Sequence, residues 1–203
     1  MKNKLILAGA LAIAALPGIA SADFVLDTGT PTGTTSVVLN SSGWYAAEFS
    51  VTAGETINSL SAYLTQGVGT VGNTYTWDLY STGGNFLGAN REAATYSTTG
   101  TFGANGWNTT SVNWTVATSG LYWVALQVTS STQTPGLDLP TESSTTSGTV
   151  PATAFAYAGT NARYALETAN PVGLEVSAVP LPAAAWLLGS GLLGLGARIR
   201  RRR

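Results

Sequence analysis

Ten carboxylates are the side chains best suited to acid–base work in this sequence, which has neither histidine nor cysteine. Without histidine the commonest general base and the commonest transition-metal ligand are gone. Without cysteine there are no thiolate nucleophiles, thiolate metal sites or disulfides. Ser-His-Asp triads, Cys-His pairs and zinc hydrolases of the usual kinds are therefore excluded. What is left is chemistry by paired carboxylates, as in glycoside hydrolysis, which needs an acid and a base or nucleophile at a set separation. Glu48, Asp78 and Glu92 are the acids near predicted strands or strand ends in the first half of the chain. Each of them reads first as a solvated surface group. No cofactor is expected. A structural calcium would have only carboxylates and loop carbonyls to draw on, because no Asp-x-Asp-x-Asp-Gly loop is present. Gly67-Val68-Gly69 lacks a following Lys-Ser/Thr and a helix, which makes it a turn and not a phosphate cradle.

Aromatic rings are the second source of chemistry, since a flat ring stacks on the apolar face of a pyranose. Trp44, Tyr45, Trp107, Trp123, Tyr96 and Tyr157 fall near turns or on outer strand faces. The competing reading places each in a core, where large rings supply much of the buried area. Trp77 and Trp114, set in clean alternations, are expected in the core.

The elements that must carry these residues are strands. Tyr75, Trp77 and Leu79 alternate with Thr74, Thr76 and Asp78, and Val112, Trp114 and Val116 alternate with Ser111, Asn113 and Thr115. Leu121 to Thr129 is apolar at nearly every position, as in a central strand covered on both faces. Phe24–Leu26, Ser36–Leu39, Tyr45–Val51, Ile57–Leu64, Ala94–Ser97, Ala154–Tyr157, Tyr164–Glu167 and Leu174–Ser177 complete the set. Turn signals such as Ser42-Gly43, Ala53-Gly54, Asn105-Gly106 and Ser119-Gly120 separate them. About ten short strands with no amphipathic helix predict an all-β fold, an antiparallel β-sandwich of jelly-roll or immunoglobulin-like type. Gln133 to Pro151 reads as a long loop. The stretches beginning at Trp44 and Trp107 look distantly alike, each a strand, a small-residue turn and another apolar strand.

Two flanking segments set the domain plan. Met1 to Ala22 has the layout of a secretory signal peptide: Lys2 and Lys4, an apolar run from Leu5 to Leu16, Pro17-Gly18, then small residues at Ala20 and Ala22. Signal peptidase would cut before Asp23, leaving residues 23–177 as the sandwich ectodomain. Residues 178–203 form a tail in three parts: Val179-Pro180-Leu181-Pro182, an apolar stretch, and Arg198 with Arg200, Arg201, Arg202 and Arg203. Positions 183–199 make one C-terminal transmembrane helix about 25 Å long, slightly short of a hydrocarbon core near 30 Å. Basic residues at both chain ends favour the cytoplasmic side, so the sandwich faces outward. All ten carboxylates lie between leader and tail, offset there only by Arg91 and Arg163. That surface repels phosphate backbones, so nucleic acid is not a partner.

The tail resembles the PEP-CTERM sorting signal of Gram-negative bacteria. The likeness covers Val179 to Arg203, with Leu181 standing where the family pattern usually has Glu. It implies recognition of Val179, Pro180 and Pro182 by an exosortase, a membrane-embedded cysteine protease, transient anchoring through 183–197, and a stop at the arginines. It further implies a polysaccharide-producing host and delivery to the cell surface or extracellular matrix. The expected function is thus an exported, non-enzymatic surface or matrix protein associated with exopolysaccharide. The alternatives are an extracellular carboxylate-dependent glycan-active enzyme and a permanently anchored inner-membrane protein.

Overall fold

A computed structural model describes residues 22–33, 35–39, 43–65, 71–81, 94–127, 137–140, 148–158, 164–167 and 172–180. These all fall in one compact unit, Ser21–Pro180. The expected leader up to Ser21, Leu181, Pro182, the membrane segment 183–199, the terminal arginines and Glu92 lie outside the described residues. Among the described residues no helix is long and apolar enough to cross a membrane.

Twelve strands are described, and there is no helix among them. β1 (Asp23–Asp27), β12 (Leu174–Val179), β4 (Thr56–Leu64) and β7 (Gly106–Thr115) form a four-stranded antiparallel sheet in the order β1-β12-β4-β7. β11 (Tyr164–Glu167), β10 (Ala154–Ala158), β3 (Trp44–Val51), β8 (Gly120–Gln127), β5 (Thr74–Ser81) and β6 (Tyr96–Thr101) form a six-stranded antiparallel sheet in that order. β2 (Ser36–Leu39) and β9 (Leu137–Pro140) pair as a separate ribbon. β9 lies inside the stretch expected to be a loop. Only four residues long and ending at a proline, it carries almost no periodic signal.

Period-two alternation explains where the core sits. Ile57, Leu60, Ala62, Leu64, Trp114, Leu174 and Val176 from the smaller sheet meet Tyr45, Phe49, Tyr75, Trp77, Leu79, Val124 and Leu126 from the larger in a single cluster. The arrangement is sandwich-like, with Trp77 and Trp114 in the core as their alternation requires. β8 is buried on both faces along Tyr122–Gln127, in keeping with its unbroken apolar run. Gly100 of β6 faces Tyr75 across the ladder, and a Cβ there would overlap the Tyr75 ring. The glycine therefore makes room for the aromatic neighbour, without requiring an unusual φ.

The look-alike stretches do not form hairpins. β3 and β4 lie in different sheets, as do β7 and β8, and the actual pairs are β3 with β8 and β4 with β7. Each stretch is an arch crossing the core, and the arches stack. Gly54 N–H donates to Val116 C=O (2.7 Å), Val116 N–H to Glu55 C=O (2.9 Å) and Ala53 N–H to Ser119 Oγ (2.8 Å). Like sequences here solve the same crossing from opposite sheets.

β12 runs to Val179, two residues past the boundary drawn at 177. Val179 pairs with Thr56, so the first residue of the expected sorting motif belongs to the sheet. Pro180, exposed and without an N–H, ends the ladder.

Candidate functional site

Both larger sheets have an outer face, and these differ in character. On the larger sheet, Trp44, Ala46, Tyr80, Trp123, Ala125 and Ala156 form a second buried cluster. Trp44 and Trp123 are therefore not open rings for a sugar: they are 7% and 3% exposed. Glu48 and Asp78 share this face, Glu48 opposite Trp123 and Asp78 opposite Ala125. Strand β8 separates them, which puts their Cα positions at least about 10 Å apart across two strand spacings. Gln127 Nε2 donates to the Tyr80 hydroxyl (3.1 Å), which points at Asp78 Oδ2 (3.4 Å). Burial pushes the Glu48 carboxyl above its ordinary value. The sequence-predicted acids are thus brought to one face but not into one another's reach.

The remaining ring candidates divide. Tyr45 is fully buried between the sheets beside Phe155 and Tyr157, with ring centroids 5.8 and 6.4 Å away. Tyr96 stacks on Trp114 at 5.5 Å with its hydroxyl on the Thr115 carbonyl, closing the sandwich where β6 and β7 meet. Trp107 is the one that reaches an open face.

That face belongs to the smaller sheet. Seven outward positions on β4, β7 and β12 are small and hydroxylic: Ser59, Ser61, Thr109, Ser111, Ser177, Thr56 and Thr115. Their hydroxyls pair across strands, Ser61 with Thr109 at 2.9 Å and Thr56 with Thr115 at 3.0 Å. At one end of this surface Tyr63 and Trp107 pair directly, edge to face, with centroids 5.6 Å apart and ring planes at 82°. Both rings are half-buried. The segment after β1 supports them from behind: Trp107 Nε1 donates to Thr30 Oγ1 (3.1 Å). Pro31 packs so close to Gly173 that a Cβ there would lie 2.7 Å from both the Pro31 and Tyr63 side chains. Tyr63 is not among the ring candidates of the sequence, although inward Leu60, Ala62 and Leu64 are the signal that leaves residue 63 facing out.

One row along, Glu175 of β12 faces Ser61 on one side and Asp27 of β1 on the other. Diagonal neighbours on a sheet face lie about 7–8 Å apart, which places Glu175 beside the aromatic pair. The two carboxyls are pushed in opposite directions. Burial raises Glu175, and the Asp27 charge adds to the rise. Burial also works to raise Asp27, but hydrogen bonds outweigh it and hold Asp27 below the ordinary 3.8. The donors are Gly29 N–H to Oδ1 (2.9 Å), and Thr149 N–H (2.9 Å) and Oγ1 (2.7 Å) to Oδ2. Opposed shifts are the pattern of acid–base pairs. With both its oxygens taken, however, Asp27 acts as a clamp, tying the 148–150 segment to β1 alongside the Asp27–Val150 bridge. Neither residue could be singled out from sequence, because their meeting depends on β1 and β12 pairing. Among the described residues no three acids gather as a metal site.

The clamp predicts a pH signature. Asp27 stabilises the fold fully above its unfolded pKa, and that contribution is lost as pH falls through the lower folded value. Asp27→Asn should therefore lower stability at pH 7 by about 1 kcal/mol and lower it far less at pH 2.5. Urea midpoints at the two pH values check this, and equal losses at both would count against the clamp. Compared with known proteins, the chain matches no family pattern, no curated protein sequence and no solved structure.

Proposed function

We propose that this chain is an exported, non-enzymatic surface or extracellular-matrix protein that associates with exopolysaccharide through the outer face of its smaller sheet. Its body is a β-sandwich of the jelly-roll or immunoglobulin-like type. Its route is that of a PEP-CTERM-like exosortase substrate, cut by signal peptidase at Ala22–Asp23 and held at the inner membrane by 183–199 until its tail is processed. The observation that carries the sugar contact is the Tyr63–Trp107 pair on a hydroxyl-bearing sheet face where Thr109, Ser111 and Thr115 are exposed. Aromatic rings offer apolar area to a pyranose face, while hydroxyls and Glu175 offer partners to its rim. A flat sheet face suits an extended polymer better than a small molecule, which needs a concave site.

Trp107→Ala should weaken retention of the protein by its matrix polysaccharide about tenfold, the loss of roughly 1–1.5 kcal/mol of ring contact. Affinity electrophoresis in polysaccharide-loaded gels measures this, and unchanged mobility relative to the wild type sinks the sugar-face reading. Turnover of a glycan panel that disappears in Glu48→Gln or Asp78→Asn would instead favour the enzyme. Intact mass bears on the route: finding Arg200–Arg203 on the mature surface protein would mean the tail is a permanent anchor.

A further inference from the structure

β7 is the edge of the smaller sheet, ten residues long against five for β1 at the opposite edge. No described strand pairs with its far side, and its outward side chains Thr109, Ser111, Asn113 and Thr115 are exposed. Edge strands are normally guarded by lysine, proline, inward charge or a bulge. From 93 to 137 the chain has no charged residue, and the only proline there is Pro135. β6, the edge of the larger sheet on the same side of the sandwich, lies within this uncharged stretch. One guard is present. Between Ile57 and Ser59 of β4 the register runs from Trp114 to Ser111, so the extra residue sits at Val112–Asn113. Beyond it, the Thr115 carbonyl takes the Tyr96 hydroxyl. The open, regular part of the edge is therefore Trp107–Ser111, centred on Thr109.

We propose that this edge pairs antiparallel with the same edge of a second copy of the chain, about a twofold axis at Thr109. Three observations favour a second copy over another strand donor. The rest of residues 23–180 carries ten carboxylates against two arginines, so two copies repel unless they meet at the uncharged side. A twofold antiparallel ladder is self-complementary, Trp107 meeting Ser111 of the copy and Thr109 meeting its own counterpart. Hydroxyl pairs across strands are also the contact β7 already makes on its inner side, at Ser61–Thr109 and Thr56–Thr115.

A chain without native cysteine allows a direct test on the full-length protein in mild detergent. Under mild oxidation Thr109→Cys should form disulfide-linked dimer at least tenfold faster than Thr52→Cys, an exposed residue at the turn after β3. Thr109→Lys should shift wild-type dimer to monomer in sedimentation velocity, leaving the far-UV spectrum of the fold unchanged. A wild-type chain that sediments as monomer at all concentrations, equal rates for the two cysteine variants, or a dimer that survives Thr109→Lys would each overturn the pairing.

Discussion

Trp77→Ala should cost about 3–5 kcal/mol, a large part of the ~5–15 kcal/mol that holds a domain of this size together. The ring is fully buried near the middle of β5, so its loss leaves a cavity inside the core. It packs edge to face against Tyr75 at 6.0 Å and 81°. Its Nε1 donates across the core to Thr110 Oγ1 of the opposite sheet, 3.2 Å away. Trp77→Phe separates the two contributions. It keeps most of the packing and loses the bond between sheets, for an expected cost of about 1–2 kcal/mol. Urea denaturation of the two variants reads both, and a loss under 1 kcal/mol for alanine would show that this ring does not hold the sheets together.

Thr28→Val should cost about 2–4 kcal/mol although it keeps the shape of the side chain. Thr28 is 1% exposed just after β1. Its hydroxyl donates to the Val172 carbonyl (2.6 Å) and accepts from Leu174 N–H (2.7 Å). Valine leaves both backbone groups buried without a partner, at about 1–3 kcal/mol each. Thr28→Ser retains the hydroxyl and should recover most of the loss. The segment fixed by these bonds, Val172 to Leu174, includes Gly173, which lets Pro31 pack against Tyr63. Thr28→Val is therefore expected to weaken the proposed polysaccharide retention as well as the fold, and a destabilised variant with full retention would break that link.

Local alternation carried most of the strands. Thr74–Leu79 and Ser111–Val116 declare their inward residues within a single window, and β8's unbroken apolar run declares a strand covered twice. It could not tell which outer face is covered. For Trp44 and Trp123 it leaves sugar face and core both open, because nothing in their own windows shows a second buried cluster forming around them. Tyr63 is legible by the same logic, from Leu60, Ala62 and Leu64. The Asp27–Glu175 pair and its clamp to Thr149 follow from pairing between distant segments, and no local pattern encodes that. β9 went unread for the opposite reason: four residues flanked by Ser, Thr and Pro give alternation too few positions to show itself.

The place of β12 bears on the order of events in the life of the chain. Among the described strands it is the last to be synthesised, yet it lies between β1 and β4, the first and fourth of them. Until Leu174–Val179 arrives, β1 has no sheet to join, and the core lacks Leu174, Val176 and Ala178. Synthesis therefore has to reach Pro180 before the smaller sheet can close, and cutting the chain upstream of Val179 would take rungs out of its middle. The body is thus completed only by the last strand described, whose final residue, Val179, sits in the ladder beside Thr56.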